Sequence, residues 1–527
     1  MTAEVPPVAS SSPASEGAAS SAFERMWSRR LLLGAGVGAG LALAGSRGAS
    51  AQLPTSTQPA GSRRQLAPVE PGDLFVLVNR TSQGWSEPLW AEATARGYQG
   101  YLEWQLDHQA IGDAALDAVL TAFPSIFMTS KQIQDGYVVP GMTNVAVAEL
   151  KKACVLRSIL SQRQLFEHMV EFWTDHFNID QSDGENQVLK TTDDRDVIRA
   201  HALGNFRDLL KASAHSGAML YYLDNFSNRN TGVNENYARE IMELHTLAPG
   251  NYTETDVREL AKILTGWTIW RQADANYGTF RYRSEWHDNG AHTVLGHVYG
   301  PNGGQAEGEA ALDQLLDHPA CANFIATKLC KWLLSYAPPQ SVIDDVALAY
   351  TRTNGDIKTM IRTVFKPDNV QLAAPHLQPK LKRPFAFVTS LMRATNASFT
   401  GTPTTGAQTL LNELVKFGHM PYAWGPPDGY PDREDYWGNA VLPRWNFASR
   451  LLDNLLNGIS VDVTALFAGV SQAQCAERCN QLLLGGRMDP ADVAEVHAFA
   501  MSFPSLTTQA KRESLALAAS SPSYQHV

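Results

Sequence analysis

The chain has 527 residues, 44% of them hydrophobic and 18% charged, with a net charge of −10 at neutral pH. This is an ordinary globular composition, long enough for one large core or a few smaller ones. No basic stripe runs along it, which excludes a nucleic-acid-binding protein, and no long polybasic run argues for an anionic membrane surface.

Residues 1–22 are rich in Ser, Ala and Pro and predict no regular structure. They lead into Ser28-Arg29-Arg30-Leu31-Leu32-Leu33, which has the form of a twin-arginine export signal. A short apolar stretch to Ala44 and a small-residue cleavage site at Ala49-Ser50-Ala51 follow. The apolar stretch is too short and too Gly-rich for a stable bilayer span, and no later segment reads as one. The expectation is a protein exported by the twin-arginine route to the periplasm or beyond. Residues 1–51 would be the leader, 52–70 a linker, 71–515 a single large helical domain and 516–527 a C-terminal tail.

From residue 71 onward apolar residues recur at three- and four-residue spacing through most of the chain, which predicts helices. Thr191-Thr192-Asp193-Asp194 reads as a helix start. Residues 276–300 break the pattern: Phe280 and Tyr282 alternate with Arg281 and Arg283, and His292 to Val298 is rich in β-branched and aromatic residues. Residues 418–445 hold too many Pro and Gly for helix and too many aromatics for disorder. The predicted fold is mainly α: a large multi-helix domain with a small β-hairpin excursion at about 276–300 and a long aromatic Pro/Gly-rich loop at about 418–445. The five cysteines, Cys154, Cys321, Cys330, Cys475 and Cys479, fit no zinc spacing and read mostly as buried small apolar side chains, with at most one disulfide.

Four stretches carry candidate chemistry. In FEHMVEFWTDHF, His168, Glu171 and Asp175 share one helix face and Phe172 and His176 the adjacent one. Histidine and carboxylate on one face is metal-ligand chemistry in helical bundles, so His168, Glu171, Asp175 and His176 are candidate ligands of a divalent metal. In NENYAREIMELHTL, Asn234 caps a helix whose Glu240 and Glu243 converge, with Arg239 as charge clamp and His245 half-buried near Ile241 and Met242; the alternative is a web of ion pairs bolting two helices together. A second helix starts at a Thr253–Asp256 capping box and buries Val257, Leu260, Leu264 and Trp267. In WHDNG, Asp288 either orients His287 as an acid–base partner or starts the Asn289-Gly290 turn. In the 418–445 loop, the aromatics with Asp428 and Arg444 suit stacking on sugar rings; the alternative is a hydrophobic cluster pinning the loop. No phosphate loop, dinucleotide fingerprint or nucleophile elbow stands out.

The order of these motifs resembles a bacterial family catalogued as "domain of unknown function 1800". The resemblance rests on Asn236-Tyr237-Ala238-Arg239-Glu240, Met242-Glu243-Leu244-His245-Thr246-Leu247 and Leu264-Thr265-Gly266-Trp267. It continues in Phe172-Trp173 with His176-Phe177, in His287-Asp288 with Gly290, in Lys382-Arg383-Pro384, in Pro427-Asp428-Gly429-Tyr430-Pro431, and in Arg444-Trp445-Asn446. It covers roughly residues 70–515. It implies a helical, commonly exported protein, often found beside a sulfatase- or phosphatase-like companion, with no assigned activity. The chain departs from the family at His292, where a lysine is usual, and at Ala248, where a glycine is usual; Gly250 is expected to take over that turn.

The leading expectation is an exported hydrolase or lyase on a polar, carbohydrate-like substrate. Its catalytic candidates are Glu240, Glu243, His245, Arg239, His176, His287 and Asp288. Trp173, Asn236, Trp267, Trp424, Asp428, Tyr430, Trp437 and Arg444 would line the substrate. The alternatives are a non-enzymatic envelope protein that binds polysaccharide or an exported sulfatase-like partner, and a metal-binding helical protein.

Overall fold

Capping and apolar spacing set most of the helices. Asp73 caps Leu74–Arg80 by accepting from the amides of Phe75 and Val76. The Thr253–Asp256 capping box opens Glu254–Ile263 as expected. The computed structural model describes residues 73–373, 380–438 and 440–527; the expected export signal and linker lie outside them. The protein is mainly α-helical, with only small two-stranded sheets. No helix among the described residues is long and apolar enough to cross a membrane.

The β content falls largely where expected. His292–Val294 pairs with His297–Tyr299 as a hairpin. Phe280–Tyr282 pairs instead with Trp267–Ile269. Trp267 was expected to end the preceding helix; that helix stops at Ile263, and Gly266 turns the chain at φ +81 so that Trp267 opens a strand. A third short pair joins Ser398–Phe399 to Ile459–Ser460.

Two helices run differently from expectation because they contain π turns. Thr191–Asp194 is not a helix start: Asn186–Thr192 continues into a π stretch at Asp193–Arg199. Asn236–Glu240 likewise continues into a π stretch at Ile241–Thr246, where the Leu247 amide donates to Met242 O. Each π turn inserts a residue and shifts the phase of the side chains beyond it. The turn after this helix uses Ala248 at φ +65 as well as Gly250 at φ +89, so Gly250 does not replace the missing glycine alone.

The main core cluster draws on residues from Leu77 to Ala373, beside a smaller one around Leu116, Phe123, Leu156 and Ala407. Gln164–His176 runs through it, burying Leu165, Met169, Phe172, Trp173 and His176 and turning His168, Glu171 and Asp175 the other way. Pro384–Ala394, opened by a proline in its first turn, is apolar nearly all round and buried accordingly. The aromatic loop ends earlier than expected, since Val441–Leu452 is a helix that carries Arg444. No free tail follows residue 515 either: Thr508–Ala519 and Pro522–Gln525 are helices, and Tyr524 is buried. All five cysteines are unpaired, and four are buried.

Candidate anion-binding site

The segment Lys380–Lys382 runs extended against the C-terminal residues. Lys382 N donates to Gln525 O, and Lys380 and Val527 exchange backbone hydrogen bonds. Alternation along an extended strand puts Lys380 and Lys382 on one side. Both reach a cavity of about 60 Å³, together with Arg383, Arg80, His168 and Trp332.

The cations in this cavity divide into two classes. Arg383 is paired with two carboxylates: its Nη1 donates to Asp175 Oδ2 at 2.6 Å and its Nη2 lies 3.1 Å from Glu171 Oε1. Lys380 Nζ donates to Asp432 Oδ2 at 2.7 Å and to the carbonyls of Lys331 and Trp332. Arg80 and Lys382 have no carboxylate within ion-pair distance among the described residues. Lys382 Nζ sits 3.4 Å from the centroid of the Tyr524 ring. Arg80 is 6% exposed and makes no side-chain hydrogen bond among the described residues, with Nη1 fully occluded. The charge of Asp432, beyond ion-pair distance, and the place of Arg80 in the last turn of a helix favour the guanidinium charge.

Burial dominates the titration of the whole cluster. It pushes Arg80 down to about 10 and Lys380 down to about 8, against the pull of Asp432. It depresses Lys382 well below the usual lysine range. It holds Glu171 above the usual carboxylate range, with Arg383 opposing. His168 is driven to about 3 by burial and then by the charges of Lys380, Arg383 and Arg80, so its ring is neutral. That ring stacks on Trp332 with centroids 4.9 Å apart, and its Nδ1 has no partner.

The aromatic loop closes over this cluster. Gly429 has φ +77, and a Cβ there would lie 2.1 Å from Asp175 O, so only glycine lets the loop sit on the end of the Gln164–His176 helix. Tyr430 and Trp437 then pack on His419, which accepts from Arg383 Nη2. Trp437 donates to Pro431 O and Tyr430 to Met420 O. These two rings pin the loop and are buried. Trp424, which donates to the exposed Asp428, is only partly covered. Arg444 is buried and donates to Lys382 O, so it braces the cation segment from behind.

The structure separates the other candidates. His168, Glu171 and Asp175 do share a face, but both carboxylates are held by Arg383. Among the described residues no group of three His, Cys, Asp or Glu side chains, as placed, is arranged to hold a metal ion. His176 and His245 meet in the core instead: His176 Nε2 donates to His245 O at 3.2 Å, and both rings are buried among aromatics. Burial keeps both neutral, so neither is placed to reach a substrate. Trp173 and Trp267 are fully buried core residues; Trp173 donates to Ala202 O.

Arg239 clamps Glu254 of the next helix at 2.7 Å through both terminal nitrogens, with Glu235 at 3.4 Å, rather than Glu240 or Glu243. Glu243 accepts from Tyr252 at 2.7 Å. Glu240 has no hydrogen bond among the described residues and is raised by burial and then by the charge of Glu243. The Asn236 amide donates to the capping Asn234 side chain. Asp288 starts the turn by accepting from Gly290 N at 2.9 Å; it does not orient His287, which Thr265 O and Glu307 flank. No hydrogen bond, ion pair or ring contact among the described residues joins His287 to His176, Glu240 or Glu243.

Sequence reasoning passed over Arg80, Lys380 and Trp332, and noted Lys382 and Arg383 only within a motif. One signal was available. Lys380-Leu381-Lys382-Arg383 puts three cations directly before the wholly apolar PFAFV, and cations abutting a core helix must be buried or paired. A family model described as "Protein of unknown function (DUF1800)" matches residues 76–526. The chain belongs to this family. No curated protein and no solved structure matches it.

Proposed function

We propose that this exported protein captures the anionic group of a polar, saccharide-like ligand in the Arg80 cavity and acts on it as a hydrolase or lyase. Arg80 carries the reading: a buried guanidinium with no hydrogen bond or ion pair among the described residues loses its hydration with little returned, and an oxyanion would restore the balance. The cavity volume of about 60 Å³ compares with ~10–15 Å³ for one water. It therefore suits a sulfate- or carboxylate-sized group rather than a whole sugar ring. Arg80 and Lys382 hold the anion. Glu171, raised toward neutrality, exchanges the proton, and the neutral His168 lines the same cavity.

Calorimetric titration with sulfate, phosphate and glucuronate tests the capture step and separates sulfate ester from carboxylate. The expected result is one anion per chain, bound with proton uptake. An anion raises the pKa of each lysine, so affinity is independent of pH below the empty-site value and falls above it. For Lys380 that fall begins near its value of about 8, at up to roughly tenfold per pH unit for each proton taken up. Absence of binding by all three anions sinks the proposal. Glu171→Gln should keep binding while stopping release of sulfate or of an unsaturated product from anionic saccharides.

A further inference from the structure

A second cluster lies where the His292–Val294 hairpin meets the helix Gln305–Asp317. His287 is fully buried and donates from Nδ1 to Thr265 O at 3.0 Å. His292, 3% exposed, donates from Nδ1 to Glu259 Oε2 at 3.0 Å. In each ring the proton on Nδ1 is thereby fixed, and the neutral tautomer presents a lone pair at Nε2. Neither Nε2 has a hydrogen-bond partner. His287 Nε2 faces Glu307 Oε2 at 3.5 Å, and His292 Nε2 faces Asp288 Oδ1 at 3.7 Å. Glu307 is 4% exposed, and both its oxygens lack a hydrogen bond.

Lone pairs facing carboxylates repel, so a positive species belongs between them. We propose that it is a divalent zinc-class ion held by His287 Nε2, His292 Nε2 and Glu307, with Asp288 as the fourth donor on the partly exposed side. Three observations favour an ion over ring protons. Four buried donor atoms are unsatisfied together. Each imidazole is oriented through Nδ1 by a carbonyl or a carboxylate, the arrangement that presents Nε2 to a metal. Tetrahedral donors at ~2.0–2.1 Å from zinc stand roughly 3.3 Å apart, close to the two observed separations. As placed, the donors are not closed around an ion; binding requires the Glu307 and Asp288 carboxylates to turn inward, Asp288 Oδ1 exchanging its hydrogen bond from Gly290 N for the ion. The Thr265 hydroxyl accepts from Asp288 N at 2.7 Å, and Thr265 O holds His287, so one residue braces both donors. This site shares no residue with the Arg80 cavity and stands independently of the proposed function.

The test is metal analysis of the purified full-length chain after loading with zinc and desalting. One zinc per chain is expected, lost in both His287→Gln and His292→Lys. The lysine variant supplies an ammonium where the ion would sit, so it should stay folded. A chelator should lower the melting temperature of the parent by at least ~2 °C and leave that of His292→Lys unchanged. Cobalt in place of zinc should give tetrahedral ligand-field bands that both variants lack. A loaded parent with under ~0.1 zinc per chain, a chelator-insensitive melting temperature, or undiminished zinc in both variants overturns the proposal.

Discussion

On the helix pair Asn236–Thr246 and Glu254–Ile263, charge is dense and mostly matched at the surface. Arg239 meets Glu254 in solvent, and Glu243 has Tyr252. In the Lys380–Arg383 cavity the charges come from distant stretches of the chain and the matching is incomplete: Arg383 holds two carboxylates, while Arg80 holds none. Desolvation explains why the second region matters more. An exposed pair gains little and costs little, whereas a buried unpaired cation persists only if something offsets its lost hydration. Burial without a partner locates a site here better than charge density along the chain.

Breaking the Arg383 node should have the largest effect on stability. Arg383→Met leaves Glu171 and Asp175 without their cation, and stranding buried charge costs ~3–5 kcal/mol. Denaturant titration measures it; a loss below ~1 kcal/mol would mean that the two carboxylates find water. A smaller effect of opposite sign belongs to the other region. Ala248→Gly relieves a left-handed alanine and should stabilise by about 1 kcal/mol; no gain in thermal midpoint would mean that the turn relaxes in solution. The smallest effect is expected from Arg239→Ala, because its Glu254 partner is exposed. Its midpoint should match the parent's, and a clear drop would move the helix pair from surface scaffold to structural keystone.

Local chemistry was legible in the sequence, and long-range pairing was not. The Thr253–Asp256 box, the Asp288 turn and the common face of His168, Glu171 and Asp175 follow from spacing alone, and each stands in the structure. The partner of that face is 208 positions away from Asp175, and no periodicity carries that information. The π turn at Ile241–Thr246 shifts the helix phase, and His245, expected half-buried near Ile241 and Met242, is wholly buried in the core beside His176. Arg80 escaped notice because VNRTSQ reads as a polar helix end, where an arginine is ordinarily solvated.

The central claim is that Arg80 is buried for a ligand and not for the fold. Arg80→Met tests it directly, with thermal midpoint and anion affinity measured on the same sample. The predicted result is an equal or higher midpoint, because no hydrogen bond or ion pair among the described residues is lost, together with an affinity at least ~30-fold weaker, the scale of charge-assisted hydrogen bonds. A lower midpoint with unchanged affinity would contradict the account.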